Sequence, residues 1–213
     1  MTRILITSGP TRQYLDPVRY LTNASSGRMG AALVQAALDA GHQVIVVSGP
    51  VQLEYPAAAK QIAVVSTEEM REACCAVFPE CDGAIGAAAP SDYQPQRVHT
   101  QKIAKTGQPL ELQLIETPDI MAGLGAMKRS DQWLVGFALE THDRHLRALV
   151  KLEKKACDLM VLNGPEAIDA TRNEVEILDR RGQILKTLAG TKEQVARGIL
   201  GVIQAQLIRP RSV

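Results

Sequence analysis

Apolar residues along this chain of 213 residues fall into short β-branched runs separated by stretches of helical period. Ile4-Leu5-Ile6, Val44-Ile45-Val46-Val47, Ile62-Ala63-Val64-Val65, Trp133-Leu134-Val135 and Leu159-Met160-Val161-Leu162 each read as a buried strand, with a further one at Asp82-Gly83-Ala84-Ile85-Gly86. Between them, Met29, Leu33, Ala36, Ala37 and Ala40 share one helical face that ends at Gly41. Met70, Ala73 and Val77 share another, capped by Ser66 or Thr67, with Glu68 and Glu69 in its first turn. Thr117-Pro118-Asp119 predicts a helix start with proline at the first position. Leu146, Leu149, Val150 and Leu152 form a helix opening at Thr141 or His142, and Val195, Ile199, Val202 and Leu207 form a last one behind Gly190-Thr191-Lys192-Glu193. Leu110, Leu112 and Leu114 alternate with Glu111 and Gln113, which predicts a half-exposed strand. Val175 to Leu178 and Ile184-Leu185 flank a turn at Asp179-Arg180-Arg181-Gly182, which predicts a hairpin.

Repeated strand–helix units imply a mostly parallel sheet with helices on both faces. The expected fold class is therefore α/β, a Rossmann-like three-layer sandwich with a C-terminal antiparallel hairpin extension. Residues 1–213 suit one domain, with a polar, aperiodic stretch over about 94–108 expected to be a mobile flap. Composition narrows the function. The formal net charge of +1 and an aromatic content of 3 % argue against a nucleic-acid partner, which wants a basic surface or stacking platforms. No apolar run reaches the ~18 residues of a membrane span, and the first twenty residues do not read as a signal peptide. The four cysteines form no paired CxxC sets. A cytoplasmic protein with reduced thiols is expected.

The densest chemistry lies early. After the first strand, Ser8-Gly9-Pro10 breaks the chain, and Asn23-Ala24-Ser25-Ser26-Gly27 leads into a helix. The free N–H groups and positive dipole end of that helix suit an anion, and small residues let a phosphate approach. A capping serine alone would not need a run of this kind. A nicotinamide-dependent oxidoreductase fits poorly: Gly9-Pro10-Thr11-Arg12 replaces G-x-G-x-x-G, and Ser48-Gly49-Pro50 brings no acid for a ribose. At the carboxyl ends of the strands, where such folds hold ligands, stand Thr11, Arg12, Asp92, Asp119, Phe137 and Asn163. Lys102 and Lys105 on the flap, with Lys151 and Lys155 one helical turn apart, add cations suited to a polyphosphate. No Ser-His-Asp or Cys-His pairing and no metal-ligand cluster is evident, so phosphoryl or nucleotidyl transfer by positioning and charge stabilisation is favoured.

GPTRQYLDPVRYLTNASSGRMG resembles the opening signature of the phosphopantothenate–cysteine ligase family of coenzyme A biosynthesis. GAAAPSDYQP, KIAK, TPDIM, VGFALET, KLEKK and DLMVLN follow in order, so the resemblance runs from Arg3 to about Asn173. It implies a ligase that activates 4′-phosphopantothenate with CTP as an acyl-cytidylate and then transfers the acyl group to cysteine. It further implies magnesium carried by the triphosphate rather than by protein ligands, a homodimer, and a flavin-dependent decarboxylase that is fused or separate. By the same resemblance, Asn23 and Lys102 are catalytic. Gly86, Ala87, Ala88, Asp92, Pro118, Asp119, Ile120, Met121, Phe137, Lys151 and Lys155, with Lys102, would hold the nucleotide. Thr11, Arg12, Ser26, Gly27 and Gly30, with Asn23, would hold the phosphopantothenate. Ile168-Asp169-Ala170-Thr171-Arg172 departs from the family pattern, and the flap lacks a lysine at the third position of Lys102-Ile103-Ala104-Lys105. The competing reading is a non-catalytic sensor of a nucleotide or a phosphopantetheine-like ligand.

Overall fold

The computed structural model describes residues 1–139, 142–163 and 172–208. Its elements are β1 (Arg3–Ser8), β2 (Arg12–Tyr14), β3 (Tyr20–Thr22), α1 (Arg28–Asp39), β4 (Gln43–Ser48), β5 (Lys60–Ala63), α2 (Thr67–Val77), β6 (Gly83–Gly86), β7 (Tyr93–Pro95) and β8 (Leu114–Glu116). They continue with α3 (Ile120–Met127), β9 (Trp133–Leu139), α4 (Arg144–Lys154), β10 (Leu159–Asn163), β11 (Arg172–Asp179), β12 (Ile184–Thr191) and α5 (Lys192–Gln206).

Eight strands form one sheet in the order β12-β11-β10-β9-β6-β1-β4-β5. The six from β5 to β10 run parallel, and β11 and β12 add an antiparallel hairpin at one edge. The fold is the expected α/β Rossmann-like sandwich. β1 and β6 are neighbours although the chain leaves β1 for β4, so strand order reverses there; at such a switch point the connecting segments splay apart and leave a crevice. α1 and α5 pack on one face over Ile4, Ile6, Val135 and Val161, and α2, α3 and α4 cover the other over Leu5, Leu134, Met160 and Leu162. The central strands are thus apolar on both faces, as their unbroken hydrophobic runs require.

Several boundaries differ from expectation. The segment read as an irregular loop after β1 contains the short β2–β3 ladder, Arg12 opposite Thr22. Its two strands are too brief for an alternating pattern. The strand read over Leu110–Leu114 is reduced to β8, which starts at Leu114 and pairs with β7 in a separate two-stranded sheet. Leu110 and Leu112 lie on the surface with no sheet face to cover them. Asp119 rather than Thr117 caps α3, its Oδ1 accepting from the Ala122 N–H at 3.1 Å, so Pro118 precedes the helix. α4 begins at Arg144 after Asp143, and Thr141, one of its two expected openings, lies outside the described residues. Ser66 caps α2 and Thr191 caps α5, each in a reciprocal capping box with Glu69 or Gln194.

The stretch 96–113 crosses from β7 to β8 and is tied to the turn after β2. Asp16 is fully buried, and its carboxylate accepts from the N–H groups of Val18 and Arg19 at 2.9 Å and of Ile103 at 3.1 Å. Arg19 reaches both Asp16 and, at 2.7 Å, the Ile103 carbonyl. Burial works to raise the Asp16 pKa, but these donors outweigh it and hold the carboxyl well below the usual carboxylate range.

Candidate functional site

A cleft of about 810 Å³ opens at the carboxyl ends of β1, β6, β9 and β10, the switch point of the sheet. One wall is the approach to α1. Gly27 occupies the N-cap position at φ +75°, a conformation open to glycine, and no side chain caps the helix. Ser25, Ser26, Gly27, Arg28 and Met29 all line the cleft, and first-turn N–H groups without a side-chain cap are what an anion requires. Behind them, an added Cβ on Gly30 would lie 2.1 Å from Ser8 Oγ, so only glycine lets α1 sit this close to the end of β1.

The floor is the loop after β6, Gly86-Ala87-Ala88-Ala89-Pro90-Ser91-Asp92. The Ala88 N–H donates to Thr7 Oγ1 at 3.2 Å and the Ser91 N–H to Thr11 Oγ1 at 2.9 Å. Thr117 Oγ1 donates to the Ser91 carbonyl at 2.6 Å, and the Thr117 N–H to the Asp92 carbonyl at 2.9 Å. Gly86 to Ala89 carry small side chains or none, so backbone fixed in this way makes up much of the cleft floor. Asn23 spans the cleft mouth, its Nδ2 donating to the Ala89 and Pro90 carbonyls at 3.2 and 2.9 Å.

The far wall comes from α3, α4 and the ends of β9 and β10. Asp119 Oδ2 accepts an ion pair from Lys155 Nζ at 3.3 Å, linking the start of α3 to the end of α4. Lys151, Lys154 and Lys155 all line the cleft at the carboxyl end of α4, where the helix dipole favours cations. Phe137 gives an apolar patch, and Asn163 Oδ1 is buried there without a hydrogen-bond partner among the described residues.

The structure thus gathers Asn23, Ser26, Gly27, Gly30, Gly86, Ala87, Ala88, Asp92, Pro118, Asp119, Ile120, Met121, Phe137, Lys151 and Lys155 around one cleft. Three expected residues stand elsewhere. Thr11 is fully buried and bonded to Thr67 and Ser91, so its hydroxyl supports the floor rather than a ligand. Arg12 stacks 4.5 Å over the Tyr20 ring, outside the cleft lining. Lys102 is exposed on the segment that Asp16 and Arg19 hold, and it does not line the cleft. Sequence reasoning missed Lys192, which is buried, lines the cleft and donates to Asn173 Oδ1 at 3.2 Å. One signal was present: a lysine in the first turn of a helix opposes the dipole, so its place there is unusual.

Among the described residues no group of three His, Cys, Asp or Glu side chains could hold a metal ion. Burial pushes the thiol of Cys74 up to about 12 and those of Cys81 and Cys157 up to about 11, which leaves them protonated and unreactive. No disulfide links the four cysteines. Among the described residues no helix is long and apolar enough to cross a membrane.

The model of the DNA/pantothenate metabolism flavoprotein C-terminal domain family matches residues 1–207. The coenzyme A biosynthesis bifunctional protein CoaBC of Vibrio vulnificus is 46 % identical over 162 residues, which cover 75 % of this chain and 40 % of that protein. CoaBC of Bacillus subtilis is 41 % identical over 207 residues, covering 95 % of this chain and 51 % of that protein. The chain spans about half the length of these curated relatives. A crystal structure of the C-terminal domain of a CoaBC protein superposes with a TM-score of 0.81 at 37 % identity, over 97 % of this chain and 95 % of that one. The chain belongs to the DNA/pantothenate metabolism flavoprotein C-terminal domain family.

Proposed function

We propose that the cleft joins 4′-phosphopantothenate to cysteine, with CTP as the activating nucleotide, in the biosynthesis of coenzyme A. The observation that carries this reading is the pairing of an uncapped helix N-terminus with the lysines of α4 across a floor of small residues, in a cleft with no reactive thiol. That arrangement binds a polyphosphate and a carboxylate and supplies charge rather than a nucleophile. The likeness to CoaBC proteins names the same pathway.

A carboxylate oxygen of phosphopantothenate attacks the α-phosphorus of CTP and the α–β P–O bond breaks, releasing pyrophosphate. The cysteine nitrogen then attacks the acyl carbon, loses a proton, and displaces CMP as the amide forms. Lys151 and Lys155 neutralise phosphate charge as the leaving group departs, and the N–H groups beyond Gly27 hold a phosphoryl oxygen. Asn23 holds the floor loop at Ala89 and Pro90 beside the reacting carbon and keeps Oδ1 for the substrate. Magnesium, carried by the triphosphate, would add charge compensation, with Asp92 and Glu116 the cleft carboxylates nearest in kind to its hard oxygen ligands. Exposed Tyr93, Leu114 and Ile115 on the β7–β8 arm, with Val18 and Tyr20, fit a face covered in a homodimer. Sedimentation at micromolar concentration then reads two copies, and a monomer under turnover conditions contradicts the dimer. A separate or fused decarboxylase would consume the amide product.

Purified protein is incubated with phosphopantothenate, cysteine, magnesium and either CTP or ATP, and pyrophosphate and amide are measured. Equal amounts of both products with CTP, and far less with ATP, are expected. Nucleotide binding without turnover would leave the sensor reading in its place.

A further inference from the structure

A second cavity, of about 400 Å³, shares Ser25, Ser26 and Arg28 with the cleft and is closed by Arg12 of β2 and by residues 50–53, which follow β4. The fold fixes both of these flanks. Val51 packs down on the approach to α1, where a Cβ added at Gly9 or Gly27 would lie 2.7 or 2.8 Å from Val51 Cγ1. Arg12 is half-buried in the β2–β3 ladder, and its guanidinium stacks 4.5 Å over the Tyr20 ring. Stacking holds a guanidinium in place through its face and leaves the donors at its edge for a ligand. Arg28, on the other side, is the first residue of α1, where the helix dipole disfavours a cation. The cavity lining contains these two guanidiniums and no carboxylate. Glu54 and Glu193 border a neighbouring cavity that Arg28 also lines. Among the described residues, neither Arg12 nor Arg28 forms an ion pair with them or with any other acid.

We propose that Arg12 and Arg28 form a second anion subsite, which takes a phosphate group at the edge of the cleft, apart from the lysines of α4. A small cavity lined by charges of one sign concentrates the opposite charge, and an anion between the two arginines removes their mutual repulsion. Two guanidinium forks and the hydroxyls of Ser25 and Ser26 offer more donors than the two oxygens of a carboxylate can use. A phosphate, with three terminal oxygens, matches them better, and the fork geometry suits it. Lys151 and Lys155 stand on the wall made by α3 and α4, whereas the arginines stand at the approach to α1. Two cation clusters on different walls fit a reaction that brings two phosphorylated substrates into one cleft, because their phosphates then do not compete for one place. Which phosphate enters, the monoester of phosphopantothenate or the end of the triphosphate, rests on the ligase reading above; the subsite itself does not.

The test titrates inorganic pyrophosphate, CTP, 4′-phosphopantothenate and unphosphorylated pantothenate separately into wild type, Arg12→Gln, Arg28→Gln and Arg28→Lys by calorimetry. Arg12→Gln and Arg28→Gln should each weaken at least one phosphorylated ligand by about tenfold, as expected for loss of a charge-assisted contact. Arg28→Lys should fall between Arg28→Gln and wild type, since it keeps the charge and loses the fork. Pantothenate affinity should not change, which a general disturbance of the cleft would not give. If the monoester is the source, the loss appears with 4′-phosphopantothenate and not with CTP; if the triphosphate is, it appears with CTP and pyrophosphate. The Arg28 side chain is exposed, so Arg28→Gln carries the test should Arg12→Gln fail to fold. Folded Arg28→Gln that binds every phosphorylated ligand within about twofold of wild type overturns the proposal, as does a wild type that binds none of them. Arginine-dependent binding in a wild type that makes no amide supports the subsite and removes the ligase. Amide formation by wild type, with full phosphate affinity in both glutamine variants, does the reverse.

Discussion

At Gly30, α1 lies directly against the end of β1, and the missing Cβ sets the position of the turn proposed to bind an anion. A Cβ there would meet Ser8 Oγ at 2.1 Å and Ser8 Cβ at 2.5 Å, and Ser8 Oγ itself donates to the Gly27 carbonyl at 3.2 Å. Gly30→Ala should therefore destabilise the protein by roughly 1–3 kcal/mol, the range for overpacking, and also weaken pyrophosphate binding because the turn shifts with the helix. Urea unfolding and calorimetry check the two effects, and an unchanged midpoint contradicts the packing argument. The residues from Asn23 to Gly30 and from Gly86 to Asp92 were legible in the sequence because each group is contiguous and each pattern has a local physical reason. Lys192 was not, since Asn173 and the cleft reach it only through the fold. Thr11 and Arg12 follow the first strand as ligand residues should, and their floor contact and aromatic ring, which the sequence does not show, come from the fold.

At the scale of elements, long apolar runs located the central strands and helices, whereas short elements without periodicity escaped. β2 and β3 have three residues each, and Leu110–Leu114 alternates without a sheet to receive it. Asp16 ties the 96–113 segment at Ile103, beside a backbone bond from His99 to Leu15, and no pattern reveals its burial or partners. Its depressed pKa has a sign that can be checked. The ionised carboxylate contributes stability at pH values above the ordinary Asp value of about 3.9, and that contribution is lost as pH falls through the lower native value. Asp16→Asn should lower the denaturation midpoint at pH 7, and the gap to wild type should close in strong acid. Hydrogen exchange near Ile103 should quicken in the variant at neutral pH, because the carboxylate that accepts from its N–H has gone. A gap that stays constant below pH 4 contradicts the assignment.

For the whole molecule, the reversal of strand order between β1 and β6 is the feature from which the rest follows. It opens one cleft, brings the starts of α1, α3 and α5 and the end of α4 to its rim, and leaves the inert thiols in the layers below. Parallel topology was readable from the alternation of strands and helices. The edge hairpin was too, although it proved longer than the apolar residues alone indicated because its outer strand is largely exposed. The central claim is that carboxylate attacks the α-phosphorus in this cleft, and isotope transfer tests it most directly. Phosphopantothenate labelled with oxygen-18 in its carboxylate is turned over with cysteine and CTP, and the nucleotide product is examined by mass spectrometry. The account predicts CMP carrying one labelled oxygen and unlabelled pyrophosphate. Unlabelled CMP, or CDP with label in inorganic phosphate, would contradict it.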